Sequence, residues 1–199
     1  MIEIEITDEM RELARVRVDN IIEDKNKEGC KFGFNKNRIY IGYLGEEVIA
    51  DYYNISIRDT YKYDMPFDDY LCSVNSPRDT YEYDMVVNGL KVEVKTISCK
   101  FRPFDDYLCS VNSSNSDGIR QQNADIYIFL RIKYEEDIAW ILGYMNCHSF
   151  WKESTLVKKG ETPYPGMRFI KTNVNILPIN KLNPMKDLIH IKEEEDFKY

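Results

Sequence analysis

The stretch 81–96, YEYDMVVNGLKVEVKT, places two strand-forming runs on either side of an Asn-Gly pair. Asn88 and Gly89 favour the tight turn that joins two antiparallel strands, because both central residues of such a turn need positive φ. We therefore expect a hairpin with strands at about 80–87 and 90–97. The hairpin constrains the fold strongly, since a turn of fixed length sets which residues of the two strands lie opposite each other.

Three charged residues interrupt the apolar pattern of this hairpin. Alternation along the second strand puts Glu93 and Lys95 on one face and Val92 and Val94 on the other. The turn brings Asp84, on the first strand, towards Glu93. Two converging carboxylates repel each other unless a cation lies between them, and hard oxygen ligands suit magnesium or manganese. The alternative is a pair of edge strands whose charged side chains simply face solvent.

The spacing of these residues resembles the signature of the PD-(D/E)xK nuclease superfamily. Asp84 is followed by eight residues and then by Glu93-Val94-Lys95. The resemblance covers about residues 37–145, and Tyr83 stands where many members have Pro. It implies a restriction-endonuclease-like fold, which is an α/β three-layer sandwich with a central mixed sheet flanked by helices. The motif would then lie on the second and third core strands.

The resemblance also implies an activity and a cofactor. Members of the superfamily are magnesium- or manganese-dependent deoxyribonucleases that leave 5′-phosphates. Asp84 and Glu93 would bind the metal, the Val94 carbonyl would be a further ligand, and Lys95 would act on the nucleophilic water. An endonuclease of restriction or phage type is the reading we favour, and a Holliday-junction resolvase, which would be a homodimer, stays open.

A glutamate pair on the preceding helix offers a third acidic group. The sequence GYLGEEVIADYY is similar to the Gly-x-x-Gly-Glu pattern of some superfamily members. On a helical projection Glu46 falls inside the apolar arc, whereas Glu47 lies nearer its edge. A carboxylate in an apolar stripe is costly to bury unless it meets a cation. We therefore expect Glu46 to complete the site and bind the metal; Glu47 in that role, or exposure of both, are the alternatives.

The rest of the chain alternates helical and strand patterns, which favours one α/β domain. Helices are expected at 8–28, capped by Thr7 or Asp8, and at 37–53. Residues 98–124 are expected to form a long polar loop, and residues 155–169 a turn-rich stretch. Further strands are expected at 125–133, at 138–144 and from 174 onwards, and a short helix is expected at 147–154. Residues 1–36 would be a helical extension of a nuclease core at 37–145, and 146–199 a C-terminal extension.

Two segments of the sequence are duplicated. PFDDYLCSVNS occurs at 66–76 and 103–113, and RDTYxYDM occurs at 58–65 and 78–85. Without 58–77 the chain still reads as a continuous strand-turn-strand unit. We expect this segment to lie outside the sheet and to contribute nothing to the chemistry, the alternative being a second DNA-contacting hairpin. Asp64 is followed by Pro66 rather than by a Glu-x-Lys strand, so it is not the site aspartate.

Polar residues near the long loop are candidates for DNA contact. Basic side chains there would contact phosphates and position the DNA rather than read its sequence, and the glutamines would orient water or a phosphate. Lys158 and Lys159 form a further basic pair. His148 is expected to be an ordinary surface or core residue, and His190 has no assigned partner. The DNA-contact candidates are Lys100, Arg102, Arg120, Gln121 and Gln122.

The net charge and the cysteine content narrow the classes of protein to which this chain can belong. A net charge of -7 argues against a general nucleic-acid coat protein, but an enzyme with a metal-neutralised site is compatible with it. It also leaves open a non-catalytic acidic binding protein or DNA mimic. Five cysteines without a CxxC pair predict neither zinc nor a disulfide framework. No apolar run reaches about 20 residues, and the N-terminus lacks a signal-peptide pattern; we expect a cytoplasmic protein that does not contact membranes.

Overall fold

The computed structural model describes residues 1–27, 35–55, 83–112, 124–163 and 172–188. These residues form eight strands and four helices, joined in part by short 3₁₀ turns. In chain order the elements are β1 (Ile2–Glu5), α1 (Asp8–Lys27), α2 (Lys36–Tyr52), β2 (Met85–Val87), β3 (Leu90–Ser98), β4 (Leu108–Asn112), β5 (Ile126–Lys133), β6 (Ile138–Asn146), α3 (Cys147–Glu153), β7 (Thr155–Val157), β8 (Val174–Pro178) and α4 (Met185–Leu188).

Five strands form a mixed sheet in the order β1-β6-β5-β3-β2. The predicted hairpin is confirmed, with β2 antiparallel to β3 and Met85 opposite Val92. Its first strand is shorter than the expected 80–87, since Tyr83 and Asp84 lie outside β2. Asn88 and Gly89 have φ of 52° and 83°, the positive values that the two-residue turn requires. β3 then pairs with β5 in parallel, and this pairing needs a long crossover connection.

One face of this sheet is covered by helices. Its core contains Val92 and Val94 of β3 together with the buried side of α2. Gly45 of α2 lies directly on β3, because a Cβ built there would fall 1.8 Å from the Thr96 hydroxyl oxygen. α1 packs against α2, and its first turn is capped by the Thr7 side chain, which accepts from the Met10 N–H at 3.2 Å. The two predicted helices are therefore confirmed.

The other face is covered by a second, three-stranded sheet in the order β4-β8-β7, together with α3. The expectation of an unbroken loop over 98–124 is wrong, since β4 lies within it, and the turn-rich stretch 155–169 contains β7. Both strands are short, with five and three residues, so their period-two signal is weak. The α/β class and the mixed sheet are confirmed, whereas the layer opposite α2 is a small sheet and a short helix.

The edge strand β1 was also missed. Ile2 and Ile4 are half-buried and alternate with exposed glutamates, and the strand pairs antiparallel with β6. The alternation IEIE was visible in the sequence, but four residues are too few to separate it from chance. The first residues are therefore part of the main sheet and not only a helical extension.

Several expectations fall on residues outside the described ranges. Among the described residues, Cys99, Cys109 and Cys147 are free cysteines. Within the described ranges, no helix has the length and apolar character needed to cross a membrane. Outside these ranges lie the segment 58–77 with Asp64, and also Arg120, Gln121, Gln122, His190, Cys30 and Cys72.

Candidate functional site

Asp84 sits where the pairing of β2 with β3 stops. Its own N–H donates to the Val92 carbonyl oxygen at 2.9 Å, which continues the ladder by one bond. Its carboxylate then accepts the Val94 N–H at 2.6 Å, so a side chain occupies the edge of β3 where a longer β2 would have paired. A carboxylate held by a backbone N–H has a fixed position. The hairpin therefore places one Asp84 oxygen against the middle of β3.

Glu93 and Lys95 lie on the same face of β3, as the alternation predicts. The Lys95 ammonium donates to Glu93 Oε1. Their side chains are 15% and 19% exposed, so the pair is open to water at one side. Tyr127 of β5 is directly beside Glu93 in the parallel register, and its ring centroid lies 5.8 Å from the Lys95 nitrogen. These three residues face the second sheet and α3, on the opposite side of the main sheet from α2.

Glu46 and Glu47 are both buried on α2 and both contact Arg17 of α1. Arg17 Nη2 lies 2.6 Å from Glu46 Oε2, and Nη1 lies 3.4 Å from Glu47 Oε1. The Arg17 guanidinium also stacks over the Tyr43 ring, 3.9 Å from its centroid. The alternative in which both glutamates are exposed is therefore wrong. The expected cation partner of a buried glutamate exists, and it is an arginine from another helix.

Electrostatics connect Asp84 to both groups of charges. The pKa of the Asp84 carboxyl is raised well above its ordinary value, first by burial and then by the negative charges of Glu93 and Glu46. The Lys95 charge and the Val94 N–H act in the opposite direction. Glu47 also has a raised pKa, caused by burial and opposed by Arg17.

The donors of this site have the chemistry that a hard divalent cation prefers. Carboxylate oxygens are the usual protein ligands of magnesium, and a cation would relieve the repulsion that raises the pKa of Asp84. Across the described part of the chain, however, no three His, Cys, Asp or Glu side chains are grouped to hold a metal. Glu93 is directed to Lys95, and Glu46 to Arg17.

The predicted DNA-contact residues within the described ranges do not join this cluster. Arg102 is 66% exposed and lies 3.8 Å from Glu3 of β1, at the opposite edge of the main sheet from β2. Lys100 is exposed in the same loop, which also carries exposed Phe101. His148 is exposed on α3. Lys158 and Lys159 are exposed as well.

Arg17 and Tyr127 are neighbours of the site that sequence reasoning missed. Arg17 lies on the apolar side of α1, in register with Met10, Ala14 and Val18, and an arginine in such a stripe signals a buried partner. Tyr127 is fully buried between β3 and α3. Its only sequence signal is its place in a strongly apolar strand, and that signal is shared by every residue around it. Comparison of the chain with protein-family models, with curated proteins and with solved structures gave no match.

Proposed function

We propose that this protein is a magnesium-dependent DNA nuclease with a restriction-endonuclease-like fold of the PD-(D/E)xK type. The observation that carries the proposal is the hairpin geometry, in which Asp84 is bound to the backbone of β3 beside the Glu93–Lys95 pair. Glu46 would supply a third carboxylate from the helix side, since its charge, after burial and Glu93, raises the pKa of Asp84. A partly open lysine that is paired with Glu93 and acts electrostatically on Asp84 suits phosphodiester hydrolysis better than a structural role does.

Asp84, Glu93 and Glu46 would hold the metal ion, with the Val94 carbonyl as a further ligand. Bound magnesium would supply a lowered pKa for a coordinated water and charge neutralisation at the phosphate. Asp84 would already be in place, because the Val94 N–H fixes one of its oxygens and leaves the other available. Glu93 would share its carboxylate between the cation and Lys95, which donates to Oε1.

Lys95 would then work on the reacting water and phosphate. Its ammonium carries three donors on a flexible stem, and it is held between the Glu93 carboxylate and the Tyr127 ring. From this position it would orient a water for attack and stabilise the negative charge that develops on the phosphate oxygens. The buried wall formed by Tyr127 and its neighbours would keep bulk water away from one side of the lysine.

A second candidate is a non-catalytic acidic binding protein or DNA mimic on the same fold. The observation in its favour is that Glu93 and Glu46 each have a cationic partner from the protein, so their charges are balanced without metal. The net charge of -7 also suits a surface that imitates DNA. A non-catalytic binding protein does not explain why Lys95 is partly open to water beside Asp84.

The test is cleavage of linear, circular, single-stranded and branched DNA by the purified protein in magnesium and in EDTA. We expect magnesium-dependent cleavage that leaves 5′-phosphates and is lost in Glu93→Ala. The matched control is Asp106→Asn, which removes an exposed carboxylate in the loop before β4.

The same substrate panel distinguishes the candidates. Preference for branched DNA, with a stable dimer in solution, would select the resolvase within the same proposal. Cleavage that persists unchanged in Glu93→Ala would contradict the site. Absence of cleavage on every substrate, together with no metal binding, would select the acidic binding protein.

A further inference from the structure

The loop that joins β3 to β4 carries two aromatic side chains that face solvent. Phe101 is 67% exposed and Phe104 is 66% exposed, more than any other large apolar side chain in the described part of the chain. They belong to the run Lys100-Phe101-Arg102-Pro103-Phe104, in which cationic and aromatic residues alternate. Exposed rings that are clustered in this way indicate an interaction surface.

The Phe104 ring is held in place by a second planar group. It stacks on Tyr107, with 5.7 Å between the ring centroids and 14° between the ring planes. Tyr107 is contacted in turn by Arg131 of β5, whose guanidinium lies 5.9 Å from the ring centroid and donates to the Leu108 carbonyl oxygen. The exposed ring is therefore oriented before any partner binds, which lowers the entropy cost of binding.

The backbone that carries this ring is also fixed. The Asp105 carbonyl oxygen accepts from the Asn180 N–H at 3.0 Å, and the Tyr107 carbonyl oxygen accepts from the Ile179 N–H at 2.9 Å. Pro103, directly before the ring, is buried. The aromatic surface is thus built on a loop that the second half of the chain holds at several points.

Two cations precede the ring and are available to an anion. Lys100 is exposed, and Arg102 is 66% exposed with a 3.8 Å contact to Glu3, which is itself 51% exposed. An ion pair between such exposed side chains is weak and is easily exchanged. The two residues after the ring, Asp105 and Asp106, carry the opposite charge. We therefore expect anionic groups to be bound by the residues before the ring and not by those after it.

We infer that residues 100–104 form a platform for single-stranded DNA, on which an unpaired base stacks on Phe104 and the neighbouring phosphates contact Lys100 and Arg102. Every base has a planar face that stacks on an aromatic ring, and the phosphates supply the anions. Phe101 offers a ring to a neighbouring base. A duplex hides these faces inside its own stack, so the platform selects unpaired strands. The choice of DNA as the partner rests on the proposed function, whereas the platform uses neither a metal ion nor the residues of the proposed active site.

The experiment measures binding of a fluorescein-labelled oligothymidylate by anisotropy, on the full chain in EDTA so that cleavage does not intervene. Phe104→Leu removes the stacking face and keeps an apolar side chain, whereas Phe104→Tyr keeps the face. Val16→Ala is the matched control, because it shortens another exposed apolar side chain, on α1. The double variant Lys100→Gln with Arg102→Gln removes both cations.

We expect Phe104→Leu to weaken binding by about 5–100-fold, as is typical when one stacked base loses its aromatic partner. Phe104→Tyr and Val16→Ala should stay within about twofold of the wild type. The double variant should reduce the slope of log affinity against log salt by about 1.4, which is about 0.7 for each of two phosphate contacts. Phe104→Leu should leave this slope unchanged, because it removes no charge.

Equal binding by wild type and Phe104→Leu would overturn the inference, and so would equally effective competition by unlabelled oligothymidylate and by relaxed circular duplex DNA. If Phe104→Leu abolishes self-association in sedimentation and leaves DNA binding unchanged, the surface is a contact between copies of this chain and the inference is wrong. The proposed function is tested separately: a protein that binds oligothymidylate through Phe104 but cleaves no DNA in magnesium would keep the platform and lose the nuclease. Thermal unfolding of each variant confirms that binding is measured on folded protein.

Discussion

Two charged clusters flank β3, and they differ in their access to water. The site cluster comprises Asp84, Glu93 and Lys95, and its Glu93–Lys95 pair keeps 15% and 19% of its side-chain surface exposed. The Arg17 cluster comprises Arg17, Glu46 and Glu47; the Arg17–Glu47 pair is 5% exposed on each side. The two clusters are linked electrostatically, since the pKa of Asp84 is raised by burial and then by one glutamate from each cluster, Glu93 and Glu46.

The difference in solvent exposure indicates different roles for the two clusters. A pair that is partly open to water can exchange one partner for another at small cost, because solvent compensates the lost contact. A buried pair cannot, because removal of one partner leaves an uncompensated charge in a poor solvent. We therefore expect the site cluster to perform the chemistry and the Arg17 cluster to hold its geometry. Changes in the two clusters should then appear in different measurements.

The largest expected effect is on stability, from Arg17→Ala. This substitution leaves the Glu46 and Glu47 carboxylates buried without their cation, and breaking a buried ion pair in this way costs about 3–5 kcal/mol. The control is Lys36→Ala, which removes an ion pair with Asp19 of similar length at sites that are 61% and 65% exposed. That change should cost no more than about 1 kcal/mol. Urea unfolding monitored by circular dichroism measures both, and equal losses would contradict the distinction between the clusters.

The second effect is on rate, from Lys95→Ala. If Lys95 stabilises charge that develops only during attack, its loss should slow cleavage about 10²–10³-fold and change DNA binding little. Single-turnover cleavage in magnesium gives the rate, and binding in calcium gives the affinity. His148→Ala is the control, because His148 is exposed and has no assigned role. Equal rates for wild type and Lys95→Ala would place the activity elsewhere.

The third effect tests the contact that brings α2 to β3, through two glycines on the same helix. Gly45→Ala should destabilise by about 1–3 kcal/mol, because its Cβ would meet Thr96 at 1.8 Å. Gly42→Ala should instead stabilise by about 0.5–1 kcal/mol, since nothing lies within 4 Å of its Cβ position. The opposite signs should appear in thermal unfolding. Destabilisation by both would mean that helix propensity and local contacts do not decide the outcome.

The site cluster could be predicted from the sequence because its geometry is local. The Asn88-Gly89 turn and the alternation of β3 fix the relation of Asp84 to Glu93 within ten residues. The Arg17 cluster could not, because its contact joins residues 30 apart and depends on how α1 packs against α2. Arg17 lies on the same buried side of α1 as Met10 and Ala14, but helical spacing carries no information about which carboxylate would meet it.

The same distinction holds for the fold. Helices α1 and α2 and strands β3, β5 and β6 have long periodic patterns, and their bounds were predicted to within two residues. Strand β4 was missed because LCSVN is only five residues long, and its partner β8 is distant in the sequence. The parallel pairing of β3 with β5 likewise follows from tertiary packing, since neither strand sequence specifies its neighbour.

The smallest expected effect concerns Asp84 itself, in protein freed of divalent metal with EDTA. Because the pKa of Asp84 is raised in the folded state, the folded protein retains this proton to higher pH than the unfolded chain, whose aspartates titrate near pH 3.9. The stability contributed by protonated Asp84 is therefore present below about pH 4 and lost as pH rises through the folded-state pKa. Asp84→Asn cannot ionise and still accepts from the Val94 N–H, so it should be more stable than wild type at pH 7–8, by about 0.5–2 kcal/mol. The gain should vanish near pH 4.

Magnesium should reverse the order of stability of wild type and Asp84→Asn, because a ligand that binds the folded wild type stabilises it by mass action and the variant lacks the carboxylate. Asp106→Asn, in an exposed loop, should show neither the pH dependence nor the reversal. Thermal unfolding from pH 4 to 8, with and without magnesium, measures all of these, and a wild type that is more stable than Asp84→Asn in EDTA at pH 8 would refute the repulsion at this site.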